Sequence, residues 1–182
     1  MNEMLNKDEL RAIKKNRVDF LSIPRNQIYI VLDNVKFLHN IGTIIRLADA
    51  VLAAKVYICG TVFNKKNRSF RNAVKGLDKW VDCEYYPDSV EVIKKLKAEK
   101  IKIVSAEIAH SSIAYGKLNL QSPIAIVFGN EKDGVSDEVL KLSDHIAHLP
   151  VLGMTNSINV ATTASVFLYE ILKNSYKYMS KY

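Results

Sequence analysis

Apolar residues come in short bursts along this chain: IYIVLD (28–33), KVYICG (55–60), IKIVSAE (101–107), IAIVFGN (124–130) and HIAHLP (145–150). Several of these runs lack polar alternation, so neither face suits water, and strands covered on both faces belong to α/β sheets. Between the bursts the apolar spacing changes to three and four. NIGTIIRLADAVLAA carries Ile41, Ile44, Ile45, Ala48 and Leu52 at helical spacing, and SVEVIKKLKAEK carries Val90, Ile93 and Leu96 on one side. The alternation predicts a mainly parallel sheet flanked by helices. From Ser157 onward, Val160, Ala164, Phe167, Leu168, Ile171 and Leu172 recur at helical intervals. One stripe of that last helix must therefore bury itself against the sheet or against another chain. A basic amphipathic helix with Leu10 and Ile13 is predicted over 3 to about 18.

With 182 residues, 48% of them hydrophobic, the chain is long enough to close a core but short of what two independent domains need. The expected organisation is an N-terminal basic helical extension (1–25), one α/β domain (26–173) and a C-terminal tail (174–182). A formal net charge of +7 favours a polyanionic partner, since Lys and Arg release counterions when they neutralise phosphates, although a merely soluble basic protein has the same composition. No apolar run approaches the roughly 20 residues that span a bilayer, and MNEMLNKDELRAIKKN lacks the apolar centre of a signal peptide. These features predict a cytoplasmic protein with no membrane partner. Cys59 and Cys83 have no CxxC spacing and read as buried thiols. His145 and His148 sit in an alternating apolar segment, so no metal site is expected there.

Ligands of open α/β sheets collect beyond the carboxyl ends of the strands, which directs attention to three corners. In LDNVKFLHNIGTIIRLADA (32–50), Asn40 stands where a helix would begin, able to cap free N–H groups or face a ligand, and Arg46 interrupts the apolar spacing, three residues before a possible partner in Asp49. In FGNEKDGVS (128–136), Gly129 allows close backbone approach and Asp133-Gly134 turns the chain; a plain turn leaves Asn130 and Glu131 unexplained. In LPVLGMTNSINVATTAS (149–165), Pro150 stops the strand, Ser157 is placed to cap the final helix, and Asn159 projects from its first turn. There is no GxGxxG after a strand, no GxxxxGK[ST], no GxSxG and no HExxH, which removes the commonest dehydrogenase, NTPase, hydrolase and protease readings.

Taken in order, HNIGTIIR, FGNEKDG and P-x-x-G followed by SINV resemble the three motifs of the SpoU (TrmH-like) branch of the SPOUT RNA 2′-O-ribose methyltransferases, over about residues 28 to 172. The resemblance implies an α/β fold with a C-terminal deep trefoil knot, S-adenosylmethionine as methyl donor, no metal, and a homodimer with composite sites. It places Phe128, Gly129, Asn130, Leu149, Val151, Ser157, Ile158 and Asn159 around the donor, and makes Arg46 the central catalytic residue, assisted by Asn40, Glu131, Ser157 and Asn159. Arginine hardly deprotonates in a protein, so Arg46 is expected to bind a neighbouring phosphate and stabilise the developing alkoxide. Glu131 is expected to hold Asn40 and the loop of the first motif. Departures from the family pattern occur at Asp49-Ala50, Val151 and Ala161-Thr162-Thr163, and read as packing changes.

Lys65, Lys66, Arg68, Arg71 and Lys75, with Phe63 and Phe70 among them, form a basic and aromatic stretch suited to phosphate contact and base stacking. KGLDKWVD (75–82) resembles a segment of the tRNA branch, and the catalytic domain is expected to lack the separate N-terminal RNA-binding domain common among the rRNA enzymes. The expected substrate is therefore tRNA, with a D-loop guanosine first. An rRNA methyltransferase and a non-catalytic RNA-binding protein of the same fold are the alternatives.

Overall fold

The computed structural model describes residues 4–13, 16, 19–20, 22–61, 68–74, 76 and 79–175. Its centre is a sheet of seven strands: β1 (Asn26–Asp33), β2 (Ala53–Cys59), β3 (Cys83–Tyr86), β4 (Lys102–Ala106), β5 (Ile113–Ala114), β6 (Ile124–Phe128) and β7 (His145–His148), in the order β3-β2-β1-β6-β4-β7-β5. Every pairing between them is parallel. The apolar bursts are strands because side chains alternate between two covered faces. Ile28, Ile30 and Leu32 enter one core with Ile126 and Phe128, while Val31, Ala125 and Val127 enter the other.

Helices α2 (Leu38–Ala50) and α6 (Val160–Asn174) cover the first face. Helices α4 (Ser89–Ala98) and α5 (Asp137–Leu142) cover the second through Val92, Ile93, Leu96 and Val139. The apolar stripe of α6 is spent inside the subunit: Ala161, Ala164, Phe167, Leu168 and Ile171 are buried, and the Phe167 ring lies 6.3 Å from Phe128 and 5.9 Å from Tyr115. Burying side chains of this size stabilises by roughly 1.5–3 kcal/mol each.

The strands differ from the pattern-based expectation at the edges. β3, from the half-buried CEYY, and the two-residue β5 lack an apolar burst because an edge position demands none. Leu52, read as part of the α2 face, instead lies in the turn to β2 at φ +50. The described N-terminal helix α1 is shorter than expected, Lys7–Ala12, with an Asn6–Glu9 capping box and with Leu10 and Ile13 exposed. The remaining short helix, α3, is Arg68–Val74.

β7 does not lie beside β6, which precedes it in sequence; it fills the gap between β4 and β5. This order sets β1, β6, β4 and β7 side by side, and because all run the same way, the loops leaving their carboxyl ends meet at one edge of the sheet.

Candidate active site

Helix α2 begins without a capping side chain, since its N-cap is Phe37. Glu131, from the loop after β6, accepts instead from the N–H groups just before the helix and from the Asn40 side chain within it. Its Oε2 accepts from the Lys36 N–H (3.1 Å) and its Oε1 from the Phe37 N–H (3.0 Å) and from Asn40 Nδ2 (2.8 Å). Burial alone would push the Glu131 carboxyl up, but the bonds from Asn40, Lys36, its own backbone and Phe37 outweigh it and hold the group below the usual carboxylate range. Asn40 therefore lies inside the first turn of α2, 1% exposed, rather than at its cap.

The other end of Asn40 meets the last helix. Asn159 Nδ2 donates to Asn40 Oδ1 (3.1 Å), and Asn159 Oδ1 accepts from the Ala161 and Thr162 N–H groups at 2.9 and 3.2 Å. Asn159 is thus the N-cap of α6. Ser157, expected in that role, lies two residues earlier with its carbonyl accepting from Thr155 Oγ1. The polarity of the chain of amides is fixed at both ends. An ionised Glu131 only accepts and a helix N-terminus only donates, so Asn40 turns its nitrogen to Glu131 and its oxygen to Asn159.

The residues 129–135 form a tight closed turn. Asn130 and Gly134 exchange backbone bonds at 2.9 and 3.0 Å, Asn130 Oδ1 accepts from the Lys132 and Asp133 N–H groups, and Asn130 Nδ2 donates to the Asn34 carbonyl (2.7 Å). At Gly129 a Cβ would stand 2.1 Å from the Gly134 carbonyl carbon and 2.2 Å from the Val135 nitrogen, so only glycine closes the turn there. Gly134 sits at φ +72 over Glu107, whose Oε2 accepts from the Val135 N–H (3.0 Å) and whose Oε1 accepts from the Ile108 N–H (2.8 Å). Asp33, 1% exposed, accepts from Ser89 Oγ (2.7 Å), Asn34 Nδ2 (3.0 Å) and the Ser136 N–H (2.8 Å). Sequence reasoning did not assign Glu107 or Asn34 to the site, nor Asp33 this bracing role. The available signal was position: Asp33 closes β1, and Asn34 and Glu107 directly follow the ends of β1 and β4.

These loops enclose a cleft of about 470 Å³ at the carboxyl ends of β4, β6 and β7. The cleft brings together Phe128, Gly129, Asn130, Glu131, Leu149, Val151, Ser157, Ile158 and Asn159, with Asn40 and Glu107 on its wall. A shallower hollow of about 270 Å³ lies between the starts of α2 and α6, lined by His39, Asn40, Thr43, Asn159 and Thr162 among others. Asn40 and Asn159 border both, so their hydrogen bond stands between cleft and hollow. Arg46 is not brought to this group: it is exposed on α2 and lines neither cavity of its own chain.

Of the basic stretch, Arg68 and Arg71 are exposed on α3; Lys65, Lys66, Lys75 and Phe63 lie outside the described residues. His148 Nδ1 is 2.9 Å from Ser112 Oγ and His145 is exposed. Among the described residues no group of three His, Cys, Asp or Glu is placed to hold a metal, and no helix is long and apolar enough to cross a membrane.

The SpoU rRNA Methylase family matches residues 27–169 of this chain. The tRNA (guanosine(18)-2′-O)-methyltransferase of Thermus thermophilus is 28% identical over 171 residues, covering 94% of this chain and 87% of the relative. That of Aquifex aeolicus is 30% identical over 160 residues, covering 88% and 75%. Among solved structures, the A. aeolicus TrmH/SpoU tRNA modifying enzyme aligns with a TM-score of 0.78 at 28% identity, over 87% of this chain and 80% of the other. An AdoMet-bound rRNA methyltransferase from Sinorhizobium meliloti aligns with a TM-score of 0.73 at 27% identity, over 83% and 58%. The likeness runs through the sheet and through all three loops that meet at the cleft, and the chain belongs to the SpoU, TrmH-like family of SPOUT RNA 2′-O-methyltransferases.

Proposed function

We propose that this RNA 2′-O-ribose methyltransferase acts on tRNA, with a D-loop guanosine as its target and S-adenosylmethionine as its donor. The observation that carries the reading is Asn40, held between Glu131 and Asn159 at the border of the cleft. The guanosine(18) enzymes of T. thermophilus and A. aeolicus support the choice of tRNA. The rRNA methyltransferase of S. meliloti keeps rRNA as the second reading.

The residues present fit the donor. A cleft of about 470 Å³ is within the range of small-molecule sites, Leu149, Val151 and Ile158 offer an apolar wall to a purine, and the carboxylates of Glu107 and Glu131 suit a cationic ligand. When bound, S-adenosylmethionine supplies a methyl group activated on a sulfonium. The chain's own residues hold the reactants: Glu131 orients Asn40, Asn159 locks it from the other side, and the Ser157 hydroxyl lines the cleft beside them. Placing a ribose hydroxyl in line with its methyl donor supplies several kcal/mol of the barrier. Arg46 binds the adjacent phosphate and stabilises the developing alkoxide, with the proton leaving to phosphate or water.

Because Arg46 lies outside the cleft of its own chain, this chemistry uses a homodimer in which a second copy completes the site. The stripe of α6 is already buried, so the dimer face lies at the rim of the cleft, where Leu152 (96% exposed) and Met154 (101% exposed) stand on the loop before Asn159. The placement of β7 between β4 and β5 supports a trefoil knot formed as the C-terminal segment passes the loop from β4 to β6. The domain is taken as 26–173 with flanking extensions, in the cytoplasm. Calorimetry with S-adenosylmethionine, followed by incorporation of labelled methyl into separated tRNA and rRNA, tests the reading. Donor binding with label in tRNA supports it; label only in rRNA selects the second reading; no donor binding identifies a non-catalytic relative.

A further inference from the structure

Phe37 is a poor residue for its position. N-caps favour Ser, Thr, Asp or Asn, and here the cap makes no side-chain hydrogen bond; only its own N–H is held, by Glu131 from another loop. Nor does Phe37 serve the core, since it is 56% exposed. Its ring instead stacks on His39, with centroids 5.8 Å apart and an interplanar angle of 20°. Both residues line the cleft, and His39 also lines the hollow beyond Asn40. Along α2, Arg46 follows His39 two turns further on the same face, about 10 Å away along the axis. Lys36, exposed, precedes the pair.

We infer that the stacked Phe37–His39 pair is the seat of the acceptor nucleobase: the base packs on the Phe37 ring, which sets its ribose over Asn40. The inference rests on the RNA-methylating reading of the cleft. A flat, exposed aromatic pair beside a site that must position one nucleotide is the arrangement by which proteins hold an unstacked base, and such stacking tolerates any base, leaving identity to other contacts. Phe37 is then a binding residue for RNA at the border of the cleft.

The test uses the full chain and a tRNA transcript, or the rRNA fragment if only that is labelled by wild type. Wild-type turnover reports on the function; ratios among variants report on this inference. Phe37→Ala and Phe37→Leu should each raise KM for the RNA about tenfold, a larger change than either makes in calorimetric affinity for S-adenosylmethionine. Phe37→Trp should keep the wild-type KM, and its new fluorescence should be quenched when RNA binds. KM within twofold of wild type for Phe37→Leu overturns the inference, because the leucine keeps apolar bulk and loses only the stacking face. So does dissociation of Phe37→Ala into monomers on size exclusion, which would show that a second copy covers the ring.

Discussion

Asn159 and Asn40, 119 residues apart in the chain, share a hydrogen bond of 3.1 Å in which Asn159 Nδ2 donates to Asn40 Oδ1. It joins the first turns of two helices that enter the site from different loops, and its direction is dictated by Glu131 at one end and by the α6 N-terminus at the other. The site is thus held by a directional chain of polar groups rather than by packing alone.

That directionality is open to an isosteric test. Asn159→Asp keeps an excellent N-cap for α6 but turns a carboxylate toward Asn40 Oδ1. Flipping Asn40 would only move its oxygen against Glu131. Steady-state assays should show kcat falling at least about tenfold, an effect on the scale of one lost polar contact, while circular dichroism shows α6 intact.

Removing Glu131 leaves Asn40 Nδ2 and two backbone N–H groups without their acceptor. Urea denaturation of Glu131→Ala should show a loss of about 2 kcal/mol. Glu131→Gln, which retains one acceptor oxygen, should lose less.

The pH dependence of the same pair of proteins has a definite sign. Glu131 is held below its ordinary range in the folded state, chiefly by Asn40 and the Lys36 N–H against the opposing effect of burial. Its contribution is present above the unfolded value of about 4.3 and is lost as pH falls through the lower, folded value. The stability gap between wild type and Glu131→Gln should be widest near pH 7 and close progressively below about pH 4.

Glycine substitutions should separate sharply. Gly129→Ala drives a methyl into backbone at 2.1 Å, so the 130–134 turn must open; a loss of about 2 kcal/mol and of donor affinity is expected. Gly116→Ala, away from the cleft, meets nothing within 4 Å and should match wild type in both melting and calorimetry.

Thiol labelling checks the core independently. Burial, with Asp33 and Asp88 nearby, pushes the Cys59 thiol up to about 12, whereas Cys83 is only half-buried. Native protein at pH 8 should expose no reactivity from Cys59 to a thiol reagent until it unfolds, since the thiolate is the nucleophile.

Most of the sheet was legible because strands buried on both faces need continuous apolar runs: four of the seven carry one, and β7, HIAH, shows instead by its alternation. β3 and β5 lie at the edges, where CEYY and Ile113-Ala114 bear no such mark. The residues around the cleft were legible from three motifs, and so was the hold of Glu131 on Asn40; the bond from Asn159 to Asn40 and the choice of cap were not. Ser157 and Asn159 are both good caps by type, and only the backbone decides between them. Phe37 as an N-cap contradicts local preference, and its own N–H is received by Glu131, far along the chain. Glu107 and Asn34 carry no mark in the sequence beyond their position after a strand, because each is held by contacts that only the folded loops create.

The most direct measurement is to incubate wild type and Arg46→Ala with tRNA and methyl-labelled S-adenosylmethionine, digest the product and identify the labelled nucleoside by mass spectrometry. Wild type should yield 2′-O-methylguanosine from the D-loop, and Arg46→Ala at least about a hundredfold less at unchanged donor affinity. Label on a base instead of a ribose, or wild-type turnover in Arg46→Ala, would contradict it.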